Sequence, residues 1–215
     1  EYIALWRASA YEAVPYTDDF PECLLVLPEL IDGAIGQGSA YKVNIEVKLS
    51  QDNNYLKVTD NGNGVKNVSR LLNWASPQSS TVHHRYGHGS KKCLTKWSKD
   101  YFVTGYVSWR NKTKKEGVST NLFKYKLPYK GNDQTLIEED ENNEIDLMPS
   151  GLEWYIEFDK KILNNIITTT ELGEAIKEII RTRYSSEHLK NIEFNLKVFS
   201  DTDKYEENSK INKWT

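Results

Sequence analysis

Lys42-Val43-Asn44-Ile45-Glu46-Val47-Lys48-Leu49, a short turn, and then Tyr55-Leu56-Lys57-Val58-Thr59-Asp60-Asn61-Gly62-Asn63-Gly64 form the stretch whose reading decides the fold. In the first run Val43, Ile45, Val47 and Leu49 alternate with Lys42, Asn44, Glu46 and Lys48. A period of two means a strand with one buried face. Asp52-Asn53-Asn54 is turn chemistry, so the second run is the return strand of an antiparallel hairpin. That strand is broken by Asp60-Asn61-Gly62-Asn63-Gly64. Glycine admits positive φ and lets backbone approach a ligand closely. A carboxylate at the end of a buried strand can accept from an exocyclic amine such as that of adenine. The same residues also suit an ordinary Asn-Gly turn.

Outward from the hairpin the chain alternates helical and strand patterns. Upstream, 24–35 is an apolar run interrupted by Pro28, which reads as a helix with a kink or a late start. Downstream, Val68, Leu71, Leu72 and Ala75 predict a helix over 65–75, and a polar loop follows over 76–89. Loops of that length without structure of their own are usually functional or mobile. A short helix is expected over 90–97, then strands over 101–109, 119–127 and 152–158. The acidic segment 131–146 reads as a solvated loop. Leu172, Ala175, Ile176, Ile179, Ile180 and Tyr184 mark an amphipathic helix over 171–184, and a closing strand is expected over 191–199. The fold class this implies is α+β: a two-layer α/β sandwich, with a mixed, mostly antiparallel sheet covered by helices on one face.

Composition bounds the rest. The 215 residues suit one domain, and a chain of this size needs no disulfide staples. We expect a domain over 1–200 and a polar tail or the start of a linker over 201–215. The chain opens on Glu1 rather than Met, which we read as a piece of something longer. Lys plus Arg is 28 and Asp plus Glu is 31, a net charge of −3, which excludes a broadly basic nucleic-acid coat. Aromatic residues make up 12%, too many for disorder. No stretch approaches the roughly 18 apolar residues of a membrane helix, so no membrane partner is expected. Cys23 and Cys93 cannot form a disulfide framework and fit an intracellular location, cytoplasmic or nuclear.

Two more segments carry chemistry. In Pro28-Glu29-Leu30-Ile31-Asp32-Gly33, Glu29 and Asp32 share a helix face. Such an acid beside apolar residues is either a general base for water or a surface acid of an amphipathic helix. In Arg85-Tyr86-Gly87-His88-Gly89-Ser90-Lys91-Lys92, glycines lead into a helix start, where backbone N–H groups make an anion site and a lysine adds a point charge. The spacing is not that of a Walker A loop.

Taken in order, the three segments resemble the GHKL ATPase superfamily of gyrase, the ninety-kilodalton heat-shock chaperones, histidine kinases and MutL, whose fold is of Bergerat type. The resemblance runs over about 24–198. Tyr86-Gly87-His88-Gly89-Ser90-Lys91, with the helix and strand after it, is most similar to the MORC branch. The resemblance implies ATP as ligand with Mg²⁺, Glu29 as the water-activating base, Asp60 as the adenine acceptor, and Gly62 and Gly64 beneath the base. It places Tyr86, Gly87, His88, Gly89, Ser90 and Lys91 around the phosphates, with 73–85 as a lid. It implies a nucleotide-controlled conformational or dimerisation switch, a nucleotide-dependent homodimer, and slow Mg-dependent hydrolysis in the full-length protein.

The sequence departs from that pattern in places. Gly33 stands where the family has a metal-binding Asn, and Gly36 and Gln37 stand where a small acidic residue is usual. Gly151-Leu152 replaces a Gly-Thr pair whose hydroxyl helps bind the base. The chain is too short for a transducer domain carrying a catalytic lysine. Nucleotide binding is therefore expected ahead of turnover, and the alternative is a non-catalytic interaction domain that keeps the fold. His83, His84, His88 and Cys93 cluster without the paired spacing of a zinc site. No Gly-x-Ser-x-Gly elbow supports a hydrolase. Arg110, Asn111, Lys112, Thr113, Lys114 and Lys115 make a basic hairpin tip, either solvated or in contact with DNA phosphates.

Overall fold

The computed structural model describes residues 26–37, 39–51, 53–65, 104–110, 122–127, 137–140, 150–158, 168–184 and 191–210. The opening hairpin is as expected. β1 (Lys42–Leu49) and β2 (Tyr55–Asp60) pair antiparallel from Val43–Asp60 to Lys48–Tyr55. Their alternation is strict: the apolar residues of β1 are buried and the polar ones half-buried. Asn54 fixes the turn by accepting from the Ser50 N–H at 3.0 Å through its side chain.

The remaining strands are β3 (Thr104–Arg110), β4 (Leu122–Leu127), β5 (Ile137–Asp140), β6 (Gly151–Glu157), β7 (Glu193–Ser200) and β8 (Lys204–Lys210). They form one eight-stranded sheet in the order β5-β4-β3-β6-β2-β1-β7-β8. β1 runs parallel to β7 and every other neighbouring pair is antiparallel. The parallel step needs a crossover, and the helix α2 (Thr169–Tyr184) lies on the path from β6 to β7.

α2 buries its Leu172, Ile176, Ile179, Ile180 and Tyr184 stripe over β7, with Tyr184 5.9 Å from the Phe194 ring, in the core that also holds Val43, Ile45, Leu196 and Ile156 of the sheet. Burying each such side chain contributes roughly 1.5–3 kcal/mol. The shorter helix α1 (Leu27–Asp32) adds Leu27, Leu30 and Ile31 to the same core. Pro28 lies in its first turn, where a missing N–H costs nothing. α1 then passes into a π-helical turn over Gly33–Gln37. The described helices and the buried strand face make the expected α+β sandwich.

The outer sheet face carries its own polar network. The Tyr55 hydroxyl donates to Glu46 at 2.8 Å, and Lys57 and Lys197 approach the same carboxylate at 3.1 and 3.3 Å. Tyr106 and Tyr155 stack at 5.0 Å.

Two expectations are corrected. The acidic segment read as a loop contains β5, whose Glu138 stands opposite Lys124 in register on β4. Charge is ordinary on an edge strand, so acidity alone does not argue against pairing. The expected polar tail contains β8, the other edge. Its one aromatic, Tyr205, lies against α2 so closely that a Cβ on Gly173 would stand 2.2 Å from the ring. Thr169 to Asp203, Tyr205 to Glu174 and Lys177 to Glu207 tie β8 and the turn before it to α2. The helices and loop expected over 66–100, and the basic tip beyond Arg110, lie outside the described residues.

Candidate functional site

The site is built where β2 ends. Asp60 follows Leu56 and Val58 on the inward face of the strand and is 5% exposed. Gly62 donates its N–H to Asp60 Oδ1 at 2.7 Å, an Asx-type turn that closes the strand end. A second backbone donor comes from Leu152 at the start of β6. The register explains it: β6 runs antiparallel beside β2 with Thr59 opposite Glu153, so Leu152 falls opposite Asp60. The Asp60 carboxyl is pushed up to about 6, chiefly because burial disfavours its charge; the hydrogen bonds from Gly62 and Leu152 pull the other way and do not win.

Gly151 makes the close approach possible. Its φ is +127°, and a Cβ there would lie 2.0 Å from the Asp60 carbonyl oxygen and 3.1 Å from Asp60 Oδ1. No other residue fits. The sequence marks this glycine only as half of an altered pair, yet it shapes the wall of the site. Gly64 has φ of 73°, the positive value the turn requires. Gly62 is buried and works through its N–H rather than through positive φ. Leu152, beside Gly151, is partly buried against the core and presents an apolar side chain.

Asn61 has a separate task that the motif does not reveal. Its Oδ1 accepts from the Tyr41 and Lys42 N–H groups at 3.1 and 3.0 Å, and its own N–H donates to the Lys42 carbonyl at 3.3 Å. Within one turn, therefore, Asn61 fastens the hairpin while Asp60 is left as a buried acceptor.

Glu29 lies in the first turn of α1 and is half-buried. Its neighbour Asp32 is no surface acid: it is 1% exposed, and it is bound by Arg183 and Tyr184 from the last turn of α2. Gly33, at the C-terminal cap of α1, opens the π-helical turn. Tyr86, Gly87, His88, Gly89, Ser90 and Lys91 lie outside the described residues. Among the described residues no group of three or more His, Cys, Asp or Glu side chains is placed to hold a metal ion, and Gly33 offers no side-chain oxygen.

Asp60 is thus a buried hydrogen-bond acceptor with Gly151 and the apolar Leu152 beside it. The fold has counterparts among solved structures. The N-terminal domain of a DNA repair protein matches with a TM-score of 0.52 at 13% identity, over 98% of this chain and 58% of its own. The ATP-binding domain of topoisomerase IV from Francisella tularensis, in complex with a small-molecule inhibitor, matches over 86% of this chain and 48% of its own, with a TM-score of 0.49 and 14% identity. The chain spans less than two thirds of the length of either. No protein-family model and no curated protein matches the sequence. What is shared with the DNA repair domain is the α+β fold. Among the described residues no helix is long and apolar enough to cross a membrane.

Proposed function

We propose that this chain is an ATP-binding module of GHKL type that acts as a nucleotide-controlled switch. One observation carries the reading: Asp60 is a buried carboxylate at a strand end, held among the described residues by backbone N–H groups, with Gly151 so close that any side chain there would clash with it. A carboxylate oxygen accepts more than one hydrogen bond, so an adenine amino group is a donor that Asp60 could take in addition. Gly62, Gly64, Gly151 and Leu152 would line the base. Glu29 would orient and deprotonate the attacking water, and the segment 86–91 would face the phosphates. An ordered lid then favours one conformation over another, which is what a switch or a nucleotide-dependent dimer requires. The order of the three sequence segments and the sandwich fold support this reading. The MORC-like details of the third segment favour that branch, and with it DNA contact at Arg110 to Lys115. The module comprises 1–200 and extends through β8.

A second reading has its own observation. The helix that carries Glu29 leaves α-helical register at Gly33, the position where a metal-binding side chain is expected. That favours a domain which binds nucleotide weakly, or not at all, and serves as an interaction module.

Titration calorimetry with ATP and a non-hydrolysable analogue, with and without Mg²⁺, separates the two. Saturable binding by the wild type, lost in Asp60→Asn, is the expected result. Equal behaviour of the two proteins would remove the adenine pocket from consideration.

A further inference from the structure

The outer face of the sheet has no part in the function proposed above, and the described helices bury their apolar stripes on the opposite face. An aromatic row crosses this outer face. The Tyr106 and Tyr155 rings stack at 5.0 Å, Tyr55 follows at 5.0 Å from Tyr155, and Phe199 stands 6.3 Å from Tyr55. The rings are half-buried, and bonds within the face hold the three phenols. Tyr106 donates to Glu153 at 3.0 Å, Tyr155 to Glu157 at 3.2 Å and Tyr55 to Glu46 at 2.8 Å. Side chains already fixed in this way lose little freedom when a partner covers them. Tyrosine is also enriched where protein surfaces meet.

Charge on the face is divided about the line between β6 and β2. β6 brings Glu153 and Glu157 and no cation. β2 and β1 bring Lys57, Lys42 and Lys48 against Glu46. A strip that is acidic on one side and basic on the other is complementary to itself turned over. The register shows what meets when it is. A two-fold axis lying in the face, along the strands between β2 and β6, sets β6 of one copy over β2 of the other and β3 over β1. Tyr155 is level with Lys57, Glu157 with Tyr55, and Tyr55 with Lys48. Tyr155 of one copy then lands on Lys57 of the other, a cation–π pairing, and Glu157 lands on Tyr55 flanked by Lys48 and Lys57. The symmetry makes each contact twice.

The size is adequate. Eight strands about 4.8 Å apart and about 20 Å long cover a plane of about 700 Å², against about 800 Å² per partner in a standard interface. Single-stranded nucleic acid is the other common guest of an aromatic row on a sheet, but its phosphates would lie against Glu153 and Glu157.

We propose that the outer face of the sheet is a self-association surface, on which a second copy of this chain docks sheet against sheet about a two-fold axis between β2 and β6. The contact needs no nucleotide, which separates it from the nucleotide-dependent dimer proposed above.

Sedimentation equilibrium of the whole chain without nucleotide tests it. The wild type is expected to dimerise reversibly below about 100 μM. Lys48→Glu/Lys57→Glu sets like charges against the partner's β6, and Glu153→Lys/Glu157→Lys sets them against the partner's lysines. Each variant is expected to weaken association by about tenfold or more. Mixed in equal amounts the two should recover the dimer, because every strip again meets its opposite. Carboxyl-to-lysine cross-linking of mixed isotope-labelled wild-type copies needs no variant, and it should join Glu157 of one copy to Lys48 or Lys57 of the other. A wild type that stays monomeric at that concentration, or dimerises only with ATP, overturns the proposal. So do inter-copy cross-links confined to other surfaces, folded variants that associate like the wild type, and folded variants whose mixture does not recover.

Discussion

Asp32 and Asp60 are both buried, at 1% and 5% exposure, and they are treated in opposite ways. Asp32 is met by a guanidinium and a phenol, and through them it bolts α1 to α2. Asp60 is met by backbone N–H groups, and burial still pushes its carboxyl up to about 6. The first carboxylate serves the structure. The second works against it at neutral pH, which suits the acceptor role proposed for it. Burial alone therefore does not separate structural acids from functional ones; the partner does.

The largest effect expected from breaking this contrast is at Asp32. Asp32→Ala leaves the part-buried Arg183 guanidinium without its acceptor and the Tyr184 hydroxyl with only the Pro28 carbonyl. Removing one member of a buried pair costs about 3–5 kcal/mol, and the lower part of that range is expected here because Arg183 is 25% exposed. Urea unfolding followed by circular dichroism measures it. A loss below about 1 kcal/mol would mean that the two helices are held by their apolar contacts alone.

Asp60→Asn should act in the other direction, and only above a defined pH. The folded-state value, about 6, lies above the ordinary 3.8. The carboxyl is therefore no burden below about pH 4, and stability is lost as pH rises through 6. The loss is on the order of 3 kcal/mol if the whole shift is expressed. The asparagine variant, which keeps an acceptor oxygen for the Gly62 N–H, should match the wild type near pH 4 and be more stable by about 2 kcal/mol at pH 8. Thermal midpoints across that range test it, and parallel curves for the two proteins would show that Asp60 is better solvated than its burial suggests.

The two acids also show what the sequence could and could not disclose. The hairpin, the amphipathic helix and the α+β class were legible because period-two and helical patterns are local and strong: β1, β2 and α2 each read directly from their own residues. The edge strands β5 and β8 were not, because an edge needs little apolar content and its pairing partner is fixed by the sheet. Asp60 was legible as a candidate because glycines surround it. The burial of Asp32 was not, since its partners lie on a helix far along the chain, and no local pattern links Asp32 to Arg183. Gly151 was visible only as half of an altered pair. Its need to be glycine comes from the β2–β6 register, which brings it onto the Asp60 carbonyl.

The finest version of the comparison lies inside the turn itself, between Asp60 and Asn61. Asn61 Oδ1 accepts from the Tyr41 and Lys42 N–H groups, the latter in a part-buried setting, and so secures the start of β1. If the division of labour is right, Asn61→Ala should lower stability by about 1 kcal/mol, the worth of an ordinary net hydrogen bond with part of the second recovered by water at the exposed Tyr41. It should do so equally at pH 4 and pH 8, because Asn61 carries no titrating group. ATP affinity, if present, should change less than in Asp60→Asn, since the Gly62 N–H bond to Asp60 does not pass through the Asn61 side chain. A pH-dependent penalty in Asn61→Ala would instead mean that the Asn61 anchor and the Asp60 carboxylate act as one unit, and that the turn cannot be divided into a structural and a binding half.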